Sequence, residues 1–397
     1  MKKKNKYTLS PSLTGGSDRS RISGKRLAAI IAVCLVLTAA VAAAVIWLTG
    51  GFSPAKPPVA AVTDTLTVTE AAGRGTKATE AAPFDVLHFD TPAVPDDGVS
   101  AGHYSASDSG TYIYAGRAME LFGGYEGSAK DYAAAITEFS HNNPDLTVYS
   151  MVVPVQAEFV IPQRLIDAGK VYTNSQRENI RTIYESYPDS VRPINCYNTL
   201  CAHMDEYLYF RTDHHWTGLG AYYAYRAFCE QTGQQALKLK DCEEKVITGF
   251  EGTLSGDFAP DSYEPDEVHY WRFPYETHAV ITGEDGDSYE MPVYYEDIGS
   301  GSSSYLVFIY GDYPLVVEYN DELKSGKKIA VVKESFANAF VPYLTNNYQE
   351  VHVIDSRYFD GSLSEYMTEN GIGEVLFLNN EMAANSAGFT DGIRAIY

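Results

Sequence analysis

Residues 209–218, Tyr-Phe-Arg-Thr-Asp-His-His-Trp-Thr-Gly, place two adjacent histidines directly after an aspartate. An acid two positions before a histidine can accept its Nδ1–H, fix the tautomer and leave Nε2 free as a base, the arrangement nucleophilic catalysis needs. Asp213 and His215 are that pair. Asp213, His214 and His215 are also metal-ligand types, but adjacent side chains in an extended segment point opposite ways, so at most two would share one ion. A plainer reading makes the aspartate a cap and leaves both histidines solvated. The Thr-Gly-Leu-Gly that follows opens a helix whose N-terminal dipole favours an anion nearby.

What separates these readings is a matching nucleophile. Gly286-Asp287-Ser288 lies in an acidic turn with no apolar strand before it, so Ser288 lacks the rigid placement that chemistry requires. Ser335 sits differently, in Lys328-Ile-Ala-Val-Val-Lys-Glu-Ser-Phe-Ala-Asn-Ala-Phe, where a strand ends and a helix begins. There a serine gains backbone N–H groups able to stabilise an oxyanion.

The elements that must position these residues read as α/β. Leu146 to Val155, Ile329 to Val332, Val351 to Ile354 and Val375 to Leu378 are short apolar runs ending in polar residues. Helices are expected over Ala129 to Asn142, Asn174 to Tyr187, Gly218 to Gln231 and Ser335 to Asn346. Strands alternating with helices predict a central parallel sheet with crossover helices, whose ligands bind beyond the carboxyl ends of the strands. Thr248 to Tyr319, with its Gly, Ser and acidic stretches, reads as a β-rich or irregular insertion.

The chain has 397 residues and a formal net charge of −22, which excludes a nucleic-acid binder held by bulk electrostatics. Its 45% hydrophobic content excludes wholesale disorder. The charge is unevenly spread. Residues 1–26 hold eight basic side chains and one acid, leaving about −29 on positions 27–397. From Leu27 to Thr49 no residue is charged, and as a helix rising about 1.5 Å per residue this stretch covers a hydrocarbon core of roughly 30 Å. It reads as a transmembrane helix with the basic tail cytoplasmic and the remainder extracytoplasmic. The competing reading, a signal peptide cleaved near Ala42 to Ala44, meets an apolar stretch longer than the usual 7–15 residues. Residues 50–83, rich in Ala, Thr, Pro and Gly, read as a linker, and 84–397 as one extracytoplasmic domain. Cys196, Cys201, Cys229 and Cys242 fall in that domain, as disulfides in one of three pairings or as free thiols; a metal reading with His203 lacks zinc-knuckle spacing.

Taken in order, these blocks resemble the bacterial DHHW proteins, which look related to the SGNH-hydrolase-like enzymes that O-acetylate alginate and other exopolysaccharides. The resemblance runs from Gly110-Thr-Tyr-Ile-Tyr-Ala-Gly-Arg through Met151-Val-Val-Pro-Val, Asp213-His-His-Trp and Gly249-Phe-Glu-Gly-Thr-Leu. It continues through Gly311-Asp-Tyr-Pro-Leu and Lys333-Glu-Ser-Phe-Ala-Asn to Val353-Ile-Asp-Ser-Arg-Tyr-Phe. It implies an SGNH-hydrolase-like three-layer sandwich, with Asp213 as orienter, His215 as base and Ser335 as nucleophile. Two positions depart from the relatives' pattern: Glu334 stands where many carry aspartate, and His214 replaces a small polar residue of the alginate enzymes.

With that triad, Ser335 would take an acyl group and pass it to a carbohydrate hydroxyl or to water. Oxyanion donors are expected from the Ser335 N–H and from Asn338, Asn379 or Asn380, although capping or exposure would explain those asparagines equally well. Arg117 and Arg357 are candidates for orienting substrate, and Trp216 for stacking on sugar faces. The expected function is a membrane-anchored extracytoplasmic serine O-acyltransferase or esterase acting on cell-surface polysaccharide, without cofactor or metal. Its partners would be the bilayer, the glycan and a membrane-bound O-acyltransferase that supplies the acyl group. The alternatives are a catalytically silent glycan-binding or envelope-assembly protein and a metal-dependent enzyme using the histidine pair.

Overall fold

A computed structural model of the chain describes residues 84–95, 98, 101–108, 110–259 and 262–397. The expected cytoplasmic tail, membrane helix and linker lie outside the described residues. Among those described, no helix is long and apolar enough to cross a membrane.

In chain order the strands are β1 (His103–Tyr104), β2 (Thr111–Tyr114), β3 (Arg117–Glu120), β4 (Thr147–Val153), β5 (Val191–Pro193), β6 (Glu243–Phe250) and β7 (Asp266–Arg272). They continue with β8 (Thr277–Thr282), β9 (Ser288–Met291), β10 (Leu315–Asn320), β11 (Lys328–Lys333), β12 (Glu350–Asp355) and β13 (Glu374–Asn380). The four apolar runs of the sequence become β4, β11, β12 and β13, each buried along nearly its whole length. Continuous apolar runs are what a parallel strand covered on both faces needs. With β5 they form the parallel part of the main sheet, which among the described residues runs β5-β4-β13-β11-β12-β10-β8-β9.

The rest of that sheet corrects the expectation of a parallel one. β10 pairs antiparallel with both β12 and β8, and β8 with β9, so the sheet is mixed. β8, β9 and all but the last residue of β10 come from Thr248 to Tyr319, the expected insertion. Its β content is as read, but much of it extends the central sheet instead of standing apart. Such pairing rests on partners distant in sequence, which local periodicity does not report. β6 and β7 form a separate antiparallel pair, and β1, β2 and β3 a small meander.

Helices cover both faces. Phe377 on β13 meets Phe139 of the helix Glu126–Asn142 edge-on, with ring centroids 5.4 Å apart. Tyr149, in register with Leu376 and so on the opposite face, meets Phe228 of the helix Gly218–Gln231 at 5.5 Å. The helix expected over Ser335 to Asn346 is instead a 3₁₀ turn, Ser335–Ala339, followed by one α turn, Val341–Leu344. Pro342 explains the break, because it has no N–H to continue an α ladder back to residue 338.

Candidate active site

Parallel register brings several chain segments to one edge. Lys333, the last residue of β11, lies opposite Asp355 on one neighbour and Leu378 on the other. Beyond Lys333 the chain passes through extended Glu334 into the turn that begins at Ser335. Glu334 is buried, and its carboxylate accepts from the Phe336 N–H at 2.9 Å and the Asn380 N–H at 2.9 Å. It thus ties the start of the turn to the end of β13. Burial pushes the Glu334 carboxyl above its ordinary pKa, against those two hydrogen bonds.

The aspartate-histidine segment reaches the same edge from the other side. Tyr209 and Trp216 form an isolated antiparallel bridge, which folds residues 210–215 into a tight excursion. Buried Asp266 on β7 holds its entrance, accepting from the Thr212 N–H at 2.8 Å, the Thr212 hydroxyl at 2.6 Å, the Arg211 Nε at 3.0 Å and the Tyr207 hydroxyl. At its exit, Thr217 caps the helix Gly218–Gln231 by accepting from the Gly220 N–H. Gly252 packs against the excursion so closely that a Cβ there would lie 2.2 Å from the Asp213 Cβ.

These supports leave a continuous line of three side chains. Asp213 Oδ1 is 2.6 Å from His215 Nδ1, and His215 Nε2 is 2.8 Å from Ser335 Oγ. Asp213 also accepts from the His215 N–H at 2.9 Å and, through Oδ2, from the Thr253 N–H at 2.9 Å and its hydroxyl at 3.1 Å. Burial pushes the Asp213 carboxyl up, but the His215 hydrogen bond, the charges of His215 and His214 and the Thr253 N–H hold it well below the usual carboxylate range. An ionised Asp213 can only accept, so Nδ1 carries the imidazole proton and Nε2 accepts from Ser335. Tyr305 stacks on His215 with centroids 4.0 Å apart, and its hydroxyl donates to the Ser335 carbonyl at 3.0 Å. The ring and the turn are therefore fixed by one side chain.

The other candidates fall in different places. Asn338 donates to Asp312 Oδ1 at 3.0 Å, while its own Oδ1 is buried without a partner among the described residues. Asn379 faces the helix Glu126–Asn142, accepting from Tyr132 at 2.6 Å, and its Nδ2 is buried without a partner among the described residues. The Asn380 side chain caps the short helix Glu381–Ala384, accepting from the Ala383 N–H. Arg117 donates to the Tyr209 carbonyl at 3.2 Å, on the flank of the excursion. Arg357 is engaged by Asp355 at 2.6 Å and Asp312 at 2.8 Å. Lys333, its side chain 1% exposed, joins the same network, 2.5 Å from Asp312 and 3.3 Å from Asp355. Trp216 requires a correction: it is wholly buried, so its ring has no face for a sugar. Its indole N–H instead donates to the Phe336 carbonyl at 2.7 Å and steadies the turn after Ser335.

Sequence reasoning missed Tyr305, Thr253, Asp266 and the Asp312–Lys333 pair. Thr253 and Asp312 lie inside blocks that carry the resemblance; Tyr305 and Asp266 carry no local signal. Ser288 opens the edge strand β9 and bonds Thr282, away from the His215–Ser335 line. Donor atoms of Asp213, His214 and His215 lie within 4.8 Å of one another, a spacing an ion could use. Both His215 nitrogens and both Asp213 oxygens are, however, engaged within the protein, so an ion there would displace those bonds. Cys196, Cys201, Cys229 and Cys242 are free, and burial pushes the Cys196 thiol up to about 12.

A protein-family model described as "DHHW protein" matches residues 94–354. The chain belongs to the DHHW family. Asp213, His215 and Ser335 fall within the matched residues, whereas Arg357, Asn379 and Asn380 lie beyond them. Among solved structures, a DHHW family protein from Eubacterium siraeum is similar at 28% identity and a TM-score of 0.66, covering 74% of this chain and 98% of that one. PatB1 of Bacillus cereus is similar at 19% identity and a TM-score of 0.59, covering 70% and 98%. PatB1 with a sulfonyl adduct aligns at 18% and 0.58, covering 70% and 96%. At that identity the likeness to PatB1 is one of fold. No curated protein matches the chain.

Proposed function

We propose that this DHHW protein is a serine O-acyltransferase or esterase with an SGNH-hydrolase-like fold. In this reading it is anchored in the cell membrane and acts outside it on cell-surface polysaccharide. The observation that carries the reading is the line Asp213–His215–Ser335, closed by hydrogen bonds of 2.6 and 2.8 Å. Its order of roles follows from proton positions. Ser335 Oγ attacks an acyl carbonyl while His215 Nε2 takes the hydroxyl proton, and Asp213 stabilises the imidazolium that forms. The developing oxyanion meets the Ser335 N–H at the first position of the turn. Transfer to a hydroxyl or to water then reverses the proton path and frees Ser335. Anchoring rests on the basic tail and uncharged stretch of the N-terminus, and it puts the site beyond reach of a cytosolic acyl donor. A membrane-bound O-acyltransferase supplying the acyl group completes the proposal.

Cleavage of 4-nitrophenyl acetate by the full chain tests this. Ser335→Ala and His215→Ala are each expected to lower kcat by roughly 10³-fold or more, while Ser288→Ala behaves as the parent. A parent without turnover, or a parent rate kept by Ser335→Ala, would give the lead to a silent glycan-binding protein.

A further inference from the structure

The hydrogen bonds around Thr253 fix the proton of His214. The His214 ring lies over His215 with centroids 3.8 Å apart, and its Nδ1 is 2.7 Å from Thr253 Oγ1. That hydroxyl is in turn 3.1 Å from Asp213 Oδ2. The carboxylate can only accept, so the single hydroxyl proton of Thr253 goes to Asp213 and the Thr253 oxygen accepts from His214. The proton of a neutral His214 therefore sits on Nδ1. Its Nε2 lone pair has no partner among the described residues, on a side chain 26% exposed beside the Ser335–His215 pair. Burial, then the charge of His215, lowers the His214 pKa against the opposing pull of Asp213, Glu120 and Glu334, which favours this neutral form.

Resting on the acyl-transfer reading above, we propose that His214 Nε2 accepts a hydrogen bond from a second hydroxyl of the acceptor. It thereby selects polyhydroxylated acceptors over monohydric alcohols. In the transfer step, the first hydroxyl's oxygen attacks the carbonyl carbon of the ester on Ser335 and its proton passes to His215 Nε2. The bond from that carbon to Ser335 Oγ then breaks as the proton moves to Oγ. His214 takes no proton; it holds a neighbouring hydroxyl of the acceptor, from a ring tilted 37° against that of His215 with centroids 3.8 Å apart.

The test charges the full chain with 4-nitrophenyl acetate and offers glycerol or 1-propanol, with the acetylated products measured by gas chromatography. The parent is expected to favour glycerol beyond its larger count of hydroxyls. His214→Ala should lower the glycerol-to-propanol ratio about fivefold, on the scale of one hydrogen bond. His214→Gln, which keeps a side-chain acceptor, should recover part of it. An unchanged ratio in His214→Ala overturns the inference, and so does an equal fall of both products, which would make His214 only a support for Asp213 through Thr253. A parent that cleaves the ester but transfers to neither alcohol, or to both without preference, overturns the inference and leaves the esterase reading standing. A parent with no Ser335-dependent chemistry removes both.

Discussion

At the scale of single residues, the chemistry turns on where one proton sits. Asp213 is buried and accepts from three N–H or O–H groups besides the His215 ring, which makes it an acceptor and nothing else. Asp213→Asn would present a donor to Nδ1 and favour the opposite tautomer, with Nε2 protonated and unable to take the Ser335 proton. The expected result is a fold that melts near the parent and a kcat for ester cleavage lower by about 10⁴-fold. Loss of only a few-fold would mean that His215 is not the base. Asp213, His215 and Ser335 were legible in the sequence because each carries a local mark: an acid two before a histidine, and a serine just past an apolar strand. Tyr305 and Asp266 bear no such mark. They act on the line from segments 90 and 53 residues beyond His215 and Asp213, and only the fold brings them there. Trp216 was misread because an aromatic residue beside a histidine looks alike whether it faces a sugar or the core.

Among the elements, the carboxyl ends of β11, β12 and β13 matter most, and their cohesion is polar. Lys333 and Arg357 neutralise Asp312 and Asp355, and the network adjoins the turn that begins at Ser335. Burial raises the Asp312 carboxyl, but Lys333 first and then Arg357 and Asn338 hold it well below the usual range. Lys333→Met would leave two acids facing one arginine. Removing one partner of a buried charge network costs about 3–5 kcal/mol, so urea unfolding of this variant should show a loss of that order. A loss below about 1 kcal/mol would place the network among screened surface pairs. The strands of this edge were legible as apolar runs with polar ends. The turn after β11 was not fully so, since a 3₁₀ turn and a helix share the same spacing until Pro342 is weighed.

Over the whole molecule, buried carboxyls of opposite behaviour shape the pH dependence. Asp213 and Asp312 have depressed pKa values, so their stabilisation is present above about pH 4 and fades as the pH falls toward their folded values. Glu318 on β10 and Glu381 past β13 are wholly buried, their carboxyl oxygens without hydrogen-bond partners among the described residues, and burial raises them well above the ordinary value. They stay protonated in the fold while the unfolded chain ionises them, so stability falls as the pH rises beyond about 4.5. The two limbs predict a thermal-melting maximum on the mildly acidic side. Glu318→Gln should flatten the decline toward alkaline pH, and an unchanged slope would contradict this assignment. Glu318 belongs to the antiparallel part of the sheet, the part that was least legible: β10 pairs with β8 and with β12 across dozens of residues, while the parallel strands announce themselves by composition.

Covalent labelling of the full chain with phenylmethanesulfonyl fluoride, with the modified residue found by peptide mass spectrometry, tests whether His215 activates Ser335. A serine whose proton is drawn by a histidine attacks the sulfonyl group and expels fluoride, whereas an ordinary serine does not. A single adduct is expected on Ser335, absent from Ser288 and abolished in His215→Ala. Labelling of Ser335 that is indifferent to His215, or an unmodified Ser335 in the folded parent chain, would contradict it.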